Sequence, residues 1–236
     1  MPDTEALFDS IARSYDSIND YLSFGIHRYW RQQLLKRGQK NSPQKLLDLC
    51  TGTGDLLFLL IRQISSLKEA IGIDISNKML AEARDKLSKQ NKNILQRCNT
   101  AFFQISATKV PFPESYFDLI TIGFGIRNVP QIDSTLQECR RLLQPGGKLL
   151  ILEFGRPINP LVNRFYQIYL RVILPTLGGL LSGTKKPYKY LATSAIEFPR
   201  GNAFTSLMEA AGFTDNSAHP LLWGICWLYE GSKRLN

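Results

Sequence analysis

Five short apolar runs mark the middle of the sequence, and amphipathic segments separate several of them. The runs are QKLLDLC, AIGID, AFFQIS, FDLITIGFG and KLLILEF. Short segments that are apolar throughout are typical of strands buried on both faces of a parallel sheet. Successive parallel strands need a crossover connection, usually a helix. The pattern therefore predicts a doubly wound α/β fold with a mostly parallel sheet.

Two of the separating segments have clear helix patterns. SNKMLAEARDKLSKQN begins at Ser76, a favourable N-cap residue, and its apolar residues recur on one helical face. QIDSTLQECRRLLQ repeats apolar residues at the same spacing. We expect the PGG sequence at residues 145–147 to end this second helix.

The alternation is interrupted between about residue 156 and residue 202. A chain of 236 residues is long enough to bury a core as one domain, so we expect a single domain over residues 1–236. Within it the sequence predicts an N-terminal helical segment (1–43), an α/β core (44–155), a helical insert (156–202), and a C-terminal helix with closing strands (203–236).

The charge balance limits which partners the chain can have. The formal net charge is +9. Such a surface attracts nucleic acid or anionic lipid headgroups, and a solvated basic face explains it equally well. Basic and aromatic side chains do not interleave in a stripe that would stack bases, so we expect no nucleic-acid partner.

Cysteine usage and the apolar segments indicate the cellular setting. The four cysteines form no CxxC pair, which argues against zinc and against a disulfide framework. The N-terminal MPDTEALFDSIARSYD lacks the apolar core of a signal peptide. Pro175, Gly178 and Gly179 interrupt the apolar stretch LRVILPTLGGLLSG, so we expect no membrane span. A cytoplasmic protein without a metal is expected.

Polar groups and glycines follow four of the predicted strands. Asp48 precedes the turn CTGTG, Asp74 ends the second strand, and Ser106 follows the third. A run from residue 123 to residue 128 follows the fourth. Ligands of open parallel sheets bind beyond the carboxyl ends of the strands. We therefore expect these four groups to converge on one crevice.

The glycine turn and Asp74 together predict an adenosine site. Gly52 and Gly54 allow the backbone to approach a ligand and then to turn into a helix at Asp55. Asp74 stands 20 residues after Gly54, where a carboxylate accepts hydrogen bonds from ribose hydroxyls. A tight structural turn with a helix-capping acid is the alternative from these residues alone.

The start of the following helix distinguishes between adenosine ligands. Leu57 stands where the dinucleotide fingerprint GxGxxG has its third glycine, and Asp55 would repel a pyrophosphate. S-adenosylmethionine carries a sulfonium and an ammonium and no phosphate, so Asp48 and Asp55 suit its amino-acid end. These residues favour the methyl donor over a nicotinamide cofactor.

The motifs resemble a known family. DLCTGTGD, GIDISNKML, PFPESYFD and RLLQPGGKLLILEF are similar in order and spacing to class I S-adenosylmethionine-dependent methyltransferases. ARSYDSINDYLSFGIHRYWR, FGIRNVP and YKYLATSAIEFP resemble the more specific ubiquinone/menaquinone biosynthesis C-methyltransferases. The resemblance implies methyl transfer to a ring carbon of a membrane-borne demethylated polyprenyl quinol, usually 2-demethylmenaquinol.

The resemblance also implies a set of residues that bind S-adenosylmethionine. Those expected to contact the donor or to shape its pocket are Asp48, Gly52, Thr53, Gly54, Asp74, Ser106, Ala107 and Gly123. Ser106 and Ala107 would lie beside the adenine. Three positions depart from the family: Ser106 is more often Asp or Asn, Gly123 is often Ser, and Tyr229 is often His. The first two would weaken donor binding without changing the reaction.

At the acceptor, a quinol carbon becomes nucleophilic when the neighbouring hydroxyl loses a proton whose pKa is about 10. We expect Arg127 to stabilise the phenolate or to hold a water that takes the proton, with Asn128 orienting that water and Tyr15 closing the site. The alternative for Arg127 is an exposed ion pair. His27 is expected to order the N-terminal helices rather than to act as the base.

The insert and the basic charge suggest partners beyond the quinol. YQIYLRVILPTLGGLLSG would form an apolar lid or a groove for the isoprenoid tail, with the enzyme peripheral on an anionic membrane surface. The alternative is that the insert is core and homodimer interface. A methyltransferase acting on RNA or on another small molecule is the alternative function, although FGIRN stands where amino-group methyltransferases carry a D/N-P-P-aromatic motif.

Overall fold

One seven-stranded sheet organises the molecule. The structure, a computed structural model, describes residues 4–235, apart from the side chains of Leu181 and Ser182. Residues 1–3, with which the predicted N-terminal segment begins, lie outside the described residues. So does residue 236, the last of the predicted domain. The strands are β1 (Lys45–Leu49), β2 (Glu69–Asp74), β3 (Asn99–Gln104), β4 (Phe117–Gly123), β5 (Leu143–Phe154), β6 (Thr214–Leu221) and β7 (Cys226–Ser232).

The order of these strands is that of a doubly wound sheet with an antiparallel edge. It runs β3-β2-β1-β4-β5-β7-β6, and the first five strands are parallel. β7 is antiparallel to both β5 and β6. The strand order reverses beside β1, so the carboxyl ends of β1 and β4 flank a crevice where α/β sheets bind ligands. The predicted fold class is confirmed.

Helices supply the connections and both flanking segments. They are α1 (Thr4–Asp9), α2 (Tyr15–Ser23), α3 (Ile26–Gly38), α4 (Asp55–Gln63), α5 (Asn77–Ser88), α6 (Lys92–Arg97), α7 (Ile132–Leu142), α8 (Pro160–Ile168), α9 (Leu174–Ser182), α10 (Lys186–Glu197) and α11 (Asn202–Ala210). The Ser76 hydroxyl accepts a hydrogen bond from the Met79 N–H at 3.1 Å, which makes Ser76 the N-cap of α5 as predicted.

Alternate residues of the central strands enter two separate cores. Leu46 of β1 and Leu119 of β4 pack with α3, α4 and α5. Leu47 of β1 and Ile120 of β4 pack with α7 and α11. Side chains alternate between the faces of a strand, so an apolar run buries both faces. This explains why the strands read as continuous apolar segments in the sequence.

The PGG sequence does not end α7 as predicted. The helix ends at Leu142 and β5 begins at Leu143, so residues 145–147 lie inside β5. The register between β4 and β5 shifts between Phe117 and Leu119. A side chain on Gly147 would meet the carbonyl oxygen of Gln144 at 2.9 Å. The glycine is therefore needed for a close backbone approach in an irregular strand rather than for a stop.

The N-terminal segment and the insert pack against each other. Ile18 of α2 shares a hydrophobic cluster with Tyr166 and Leu170 of the insert. The Tyr169 hydroxyl donates a hydrogen bond to the Leu22 carbonyl at 2.5 Å. A π-helical turn (Tyr169–Ile173) joins α8 to α9. Within residues 4–235, no helix is both long enough and apolar enough to cross a bilayer.

Candidate active site

The loop after β1 presents bare backbone at the carboxyl end of the sheet. Gly52 and Gly54 have φ angles of 56° and 79°, which favour glycine. A Cβ on Gly52 would meet no atom within 4 Å, whereas one on Gly54 would meet the Phe58 ring at 2.7 Å. Gly52 therefore faces open space, and Gly54 is buried at the turn into α4.

Asp48 lies near the end of β1, beneath this loop. Its side chain is buried, and its two oxygens accept hydrogen bonds from the hydroxyls of Thr51 at 2.7 Å and Thr121 at 2.6 Å. Burial raises the pKa of Asp48 to about 6, despite the two hydroxyls. Both oxygens thus support the loop, and the expectation that Asp48 pairs with the charged end of the donor stays a prediction.

Asp74 joins β2 to the glycine loop. Its carboxylate accepts hydrogen bonds from the N–H groups of Gly52 and Ser76, each at 2.9 Å. Burial raises the pKa of Asp74, and these backbone groups oppose the rise. The carboxylate is half-buried at the strand end, so it holds the loop and also borders the crevice.

Five of the predicted donor residues line one cleft of about 680 Å³: Gly52, Asp74, Ser106, Ala107 and Gly123. Apolar side chains complete its walls, among them Phe8, Ile73, Met79 and Ile105. The structure thus brings the ends of β1, β2, β3 and β4 together, as the fold requires.

Two of the three departures from the family, Ser106 and Gly123, line this cleft. The Ser106 hydroxyl is exposed and shares a hydrogen bond of 2.9 Å with the Thr108 hydroxyl. Gly123 has no side chain, and an added Cβ would meet Leu56 Cδ2 at 3.0 Å. Gly123 therefore lets Leu56 approach the end of β4.

Thr53 and Asp55 belong to a network that fastens the N-terminal segment to the loop. The Thr53 hydroxyl donates to Asp16 of α2 at 2.6 Å. Lys86 bridges Asp16 at 2.5 Å and Asp55 at 2.6 Å, and Arg31 contacts Asp55 at 2.9 Å. Burial raises the pKa of Asp55, but the charges of Arg31 and Lys86 outweigh this effect, so the pKa is lowered overall.

These contacts bear on two expectations from the sequence. Asp55 was expected to meet a cationic ligand, and two protein cations, Arg31 and Lys86, already contact it. Thr53 was expected to contact the donor, and it lines the larger cavity beside the cleft. Both roles stay predictions.

A second, larger cavity of about 1760 Å³ adjoins the cleft. Five residues border both spaces: Tyr15, Cys50, Gly52, Gly123 and Phe124. The remaining walls are mainly apolar and come from α2, α3 and the insert, including Leu22, Trp30, Val162, Phe165, Leu170 and Leu174. We call this space the acceptor cavity. It adjoins the donor cleft at the end of β4, where both spaces are lined by Gly123.

Arg127 lines the acceptor cavity as a buried cation. Its Nη1 forms a short ion pair with Glu153 Oε1 and donates to the Phe124 carbonyl at 2.7 Å. Its Nε donates to the Ser194 hydroxyl at 3.3 Å. Among the described residues, Nη2 forms no hydrogen bond. The alternative of an exposed ion pair is wrong, because both side chains are buried.

Tyr15 and Asn128 occupy different sides of the junction. Tyr15, at the start of α2, borders both spaces, and burial raises the pKa of its hydroxyl. Asn128 borders the donor cleft and not the acceptor cavity. Its Oδ1 is buried and has no partner within residues 4–235. Arg127 and Asn128 thus line different spaces. Their predicted arrangement around one water stays a prediction.

His27 connects the first helices. Its Nδ1 lies 2.5 Å from the Ser23 hydroxyl, and its Nε2 lies 3.3 Å from Asp20. Burial lowers the pKa of the imidazole, with Arg31 adding to the effect and Asp20 opposing it. Both ring nitrogens are thus engaged within α2 and α3, as expected for a residue that orders this segment.

Sequence reasoning missed Glu153, Asp16, Arg31 and Lys86. Glu153 is the one acidic residue of the apolar run KLLILEF, and a charge within such a run signals a buried partner. That signal was available in the sequence. Nothing local in the sequence connects Asp16 to Lys86, because the pair forms only when α2 packs over α5.

No group of three His, Cys, Asp or Glu side chains within the described chain is arranged to hold a metal ion. The cysteines at positions 50, 98, 139 and 226 are free. Burial raises the pKa of each thiol. These thiols are therefore mainly protonated at neutral pH.

Comparisons with known proteins agree with this geometry. A model of the ubiE/COQ5 methyltransferase family matches residues 3–233. A protein of Stutzerimonas stutzeri (strain A1501), described as ubiquinone/menaquinone biosynthesis C-methyltransferase UbiE, is 38% identical over 96% of this chain and 87% of its own. The protein of the same description from Cellvibrio japonicus (strain Ueda107) is 39% identical over 96% of this chain and 90% of its own.

A solved structure shows the same fold. Phosphoethanolamine N-methyltransferase 2 of Haemonchus contortus, in complex with S-adenosyl-L-methionine, aligns with a TM-score of 0.67. It covers 97% of this chain and 60% of its own, at 17% sequence identity. At that identity the likeness concerns the fold alone.

Proposed function

The chain belongs to the ubiE/COQ5 methyltransferase family, and we propose that its acceptor is 2-demethylmenaquinol. In this function the enzyme transfers a methyl group from S-adenosylmethionine to a ring carbon of the demethylated polyprenyl quinol, in menaquinone or ubiquinone biosynthesis. The observation that carries the proposal is that the donor cleft and a large, mainly apolar cavity share lining residues, Gly123 among them. A ring with a long isoprenoid tail needs such an apolar space.

The donor cleft has the chemical features that S-adenosylmethionine requires. Gly52 offers open backbone, and the Asp74 carboxylate borders the cleft beside it, where ribose hydroxyls would donate. Ala107 and Ile105 provide apolar walls for an adenine. Asn128 Oδ1 is a buried acceptor without a partner in the described chain, so a ligand N–H would satisfy it. The bound donor supplies an electrophilic methyl group.

The acceptor cavity has one cation beside the junction. Arg127 is oriented by Glu153, Ser194 and the Phe124 carbonyl, which leaves Nη2 available. A guanidinium held in this way does not need to reorganise when a phenolate develops, which lowers the cost of the charge. Tyr15 closes the junction from α2 and limits the water that reaches it. Orientation of the two reactants supplies the rest of the rate enhancement.

The insert supports docking on a membrane. Large apolar side chains are exposed along α8, the π-helical turn and α9: Leu161, Phe165, Ile168, Val172, Leu177 and Leu180. Residues 156–196 contain no Asp or Glu, and the basic residues Arg164, Arg171, Lys185, Lys186 and Lys189 are exposed. We call this surface the insert face. An apolar surface with only basic charges suits the cytoplasmic, anionic surface of a bilayer.

A vesicle assay separates this docking from dimerisation. We expect the enzyme to sediment with anionic vesicles and not with zwitterionic ones, and to be released by salt. Leu161→Ser with Phe165→Ser should reduce sedimentation, whereas Phe103→Ser, an exposed aromatic on β3, should not. A double variant that instead converts a dimer to a monomer in solution would assign the insert face to a homodimer interface.

The enzyme class and the acceptor are tested together. Purified protein would be incubated with radiolabelled S-adenosylmethionine and reduced short-chain demethylmenaquinol, and in parallel with total RNA. We expect label to be extracted into organic solvent with the quinol. Label in the RNA would refute the proposal, and label in neither would refute the quinol acceptor if donor binding is retained.

A further inference from the structure

One residue that lines the acceptor cavity has a buried hydroxyl that no described residue satisfies. Tyr166 of α8 is 8% exposed and lines the cavity. Its Oη has no hydrogen-bond partner within the described residues. Tyr169, three residues later in the same wall, donates to the Leu22 carbonyl at 2.5 Å. Packing of the insert on α2 therefore satisfies the hydroxyl of Tyr169 and leaves that of Tyr166 unpaired among the described residues.

An unpaired buried hydroxyl is uncommon and points to an absent partner. Burial removes the hydroxyl from water, and without a new hydrogen bond this loss is not offset. Trp30 Nε1 is a second unpaired donor in the same wall, and its ring packs against Phe124 and Phe154. The indole N–H can only donate and the tyrosine hydroxyl can donate, so a ligand that presents acceptor oxygens would satisfy both groups.

The surroundings keep Tyr166 in its protonated form. Burial raises the pKa of its hydroxyl above the usual value. Arg127, which opposes this rise, and Glu153, which adds to it, are charged neighbours from outside the insert. Tyr169 and Cys226 are the other titratable neighbours. Tyr166 is therefore a hydrogen-bond donor at neutral pH, in the same part of the cavity as the Arg127–Glu153 pair.

Resting on the proposed quinol acceptor, we propose that the Tyr166 hydroxyl donates a hydrogen bond to the ring oxygen beside the carbon that is methylated. In this position Tyr166 binds the acceptor and stabilises the phenolate that makes the carbon nucleophilic. Arg127 supplies positive charge at the same oxygen, and Tyr166 fixes the direction in which the ring presents its carbon. The insert thereby contributes a residue to the reaction as well as an apolar wall.

The variant Tyr166→Phe tests this role, because it keeps the ring and removes only the hydroxyl. We expect kcat/KM for reduced short-chain demethylmenaquinol to fall by about 10- to 100-fold, as for a hydrogen bond to a charged oxygen. The acid limb of the pH–rate profile should move to higher pH, because the phenolate loses a donor. Donor affinity should stay unchanged, and thermal stability should not fall, since no hydrogen bond within the protein is lost.

Tyr190→Phe is the matched control, since Tyr190 lies on α10 of the same insert and does not line the cavity. Its pH–rate profile should coincide with that of the wild type. If Tyr166→Phe keeps the wild-type kcat/KM and profile while the wild type methylates the quinol, this inference alone is refuted. A wild type that binds the donor but does not methylate the quinol refutes the proposed acceptor, and the role of Tyr166 with it.

Discussion

The donor cleft and the acceptor cavity share a wall but are built in different ways. The cleft is formed by loops at the ends of four neighbouring strands, and its polar contacts are largely to backbone groups, as between Asp74 and Gly52. The cavity is formed by helices from the two ends of the chain, and Tyr169 meets Leu22 across 147 positions. Arg127, paired with the buried Glu153, is a cation in its wall.

Because of this difference, the donor cleft and the acceptor cavity should respond differently to substitutions. The cleft depends on backbone geometry that the parallel sheet imposes, so a side-chain change alters one contact at a time. The cavity depends on packing between segments and on a buried ion pair, where removal of one partner leaves a charge without compensation. We therefore expect changes in the cavity to affect folding and turnover together, and changes in the cleft to affect donor affinity.

The largest effect should come from breaking the buried pair. Glu153→Gln leaves Arg127 buried and unpaired, so the free energy of unfolding should fall by about 3–5 kcal/mol. Turnover should be lost, because Arg127 is no longer oriented. Denaturant unfolding and steady-state kinetics would measure the two effects. Asp85→Asn, which breaks the exposed pair with Lys89, should change neither much.

A double variant separates stability from function in this pair. Arg127→Met with Glu153→Met replaces both charges by apolar groups, and such replacements often restore stability. We expect unfolding close to that of the wild type, with donor binding retained and turnover lost. Turnover near the wild-type rate in the double variant would show that the cation has no part in the reaction.

The second effect concerns the carboxyl group beneath the donor loop. The pKa of Asp48 is raised to about 6, whereas in the unfolded chain it is about 3.9. Because the folded form binds the proton more tightly, ionisation of Asp48 destabilises the fold as the pH rises from 4 to 6. The difference is on the order of 3 kcal/mol. Asp48→Asn should therefore gain stability relative to the wild type across that range.

Comparing two unfolding curves isolates this contribution. Asp55, Glu138 and Glu230 have lowered pKa values and lose stabilisation as the pH falls, so the wild-type curve alone combines opposite trends. The difference between Asp48→Asn and the wild type, measured by denaturant unfolding at pH 4 to 8, cancels the shared groups. A difference that stays constant with pH would contradict the raised pKa.

The third effect should be confined to the donor cleft. Asp74→Ala removes the carboxylate that borders the cleft and also its hydrogen bonds to Gly52 and Ser76. Donor affinity should fall by about 10- to 100-fold or more, as measured by calorimetry. Asp85→Ala, on an exposed face of α5, is the matched control and should bind the donor normally. Unchanged affinity in Asp74→Ala would remove the basis for an adenosine site here.

Sequence patterns predicted the cleft better than the cavity for a physical reason. The positions of Asp74 and Ser106 follow from strand ends, which local apolar runs reveal, and the parallel sheet then brings them together. The burial of Asp48 and the neutralisation of Asp55 depend on Thr121 and on Lys86, which lie on other elements. No local spacing encodes such contacts, so the sequence could not show that both acids already have partners within the protein.

The acceptor side shows the same limit. Arg127 was singled out from its place after β4, but its partner Glu153 appears in the sequence only as a charge within an apolar run. Tyr166 stands in a helical segment with other tyrosines, and nothing local distinguishes its unpaired hydroxyl from the paired one of Tyr169. Packing of the insert on α2 decides which of them remains available.

The smallest effect should come from the shared wall itself. Gly123→Ser restores the family's common hydroxyl beside the donor, at the cost of a Cβ that would meet Leu56 Cδ2 at 3.0 Å. Gly123→Ala adds the same Cβ without the hydroxyl, so the pair isolates one neutral hydrogen bond. We expect the serine variant to bind the donor about fivefold more tightly than the alanine variant by calorimetry, which corresponds to about 1 kcal/mol.

Leu56 also lines the acceptor cavity, so both variants should raise the KM of the quinol equally. Equal donor affinities would mean that the end of β4 is too far from the donor for a hydroxyl to matter. The donor cleft and the acceptor cavity would then be more distinct at Gly123 than the residues that line both of them suggest.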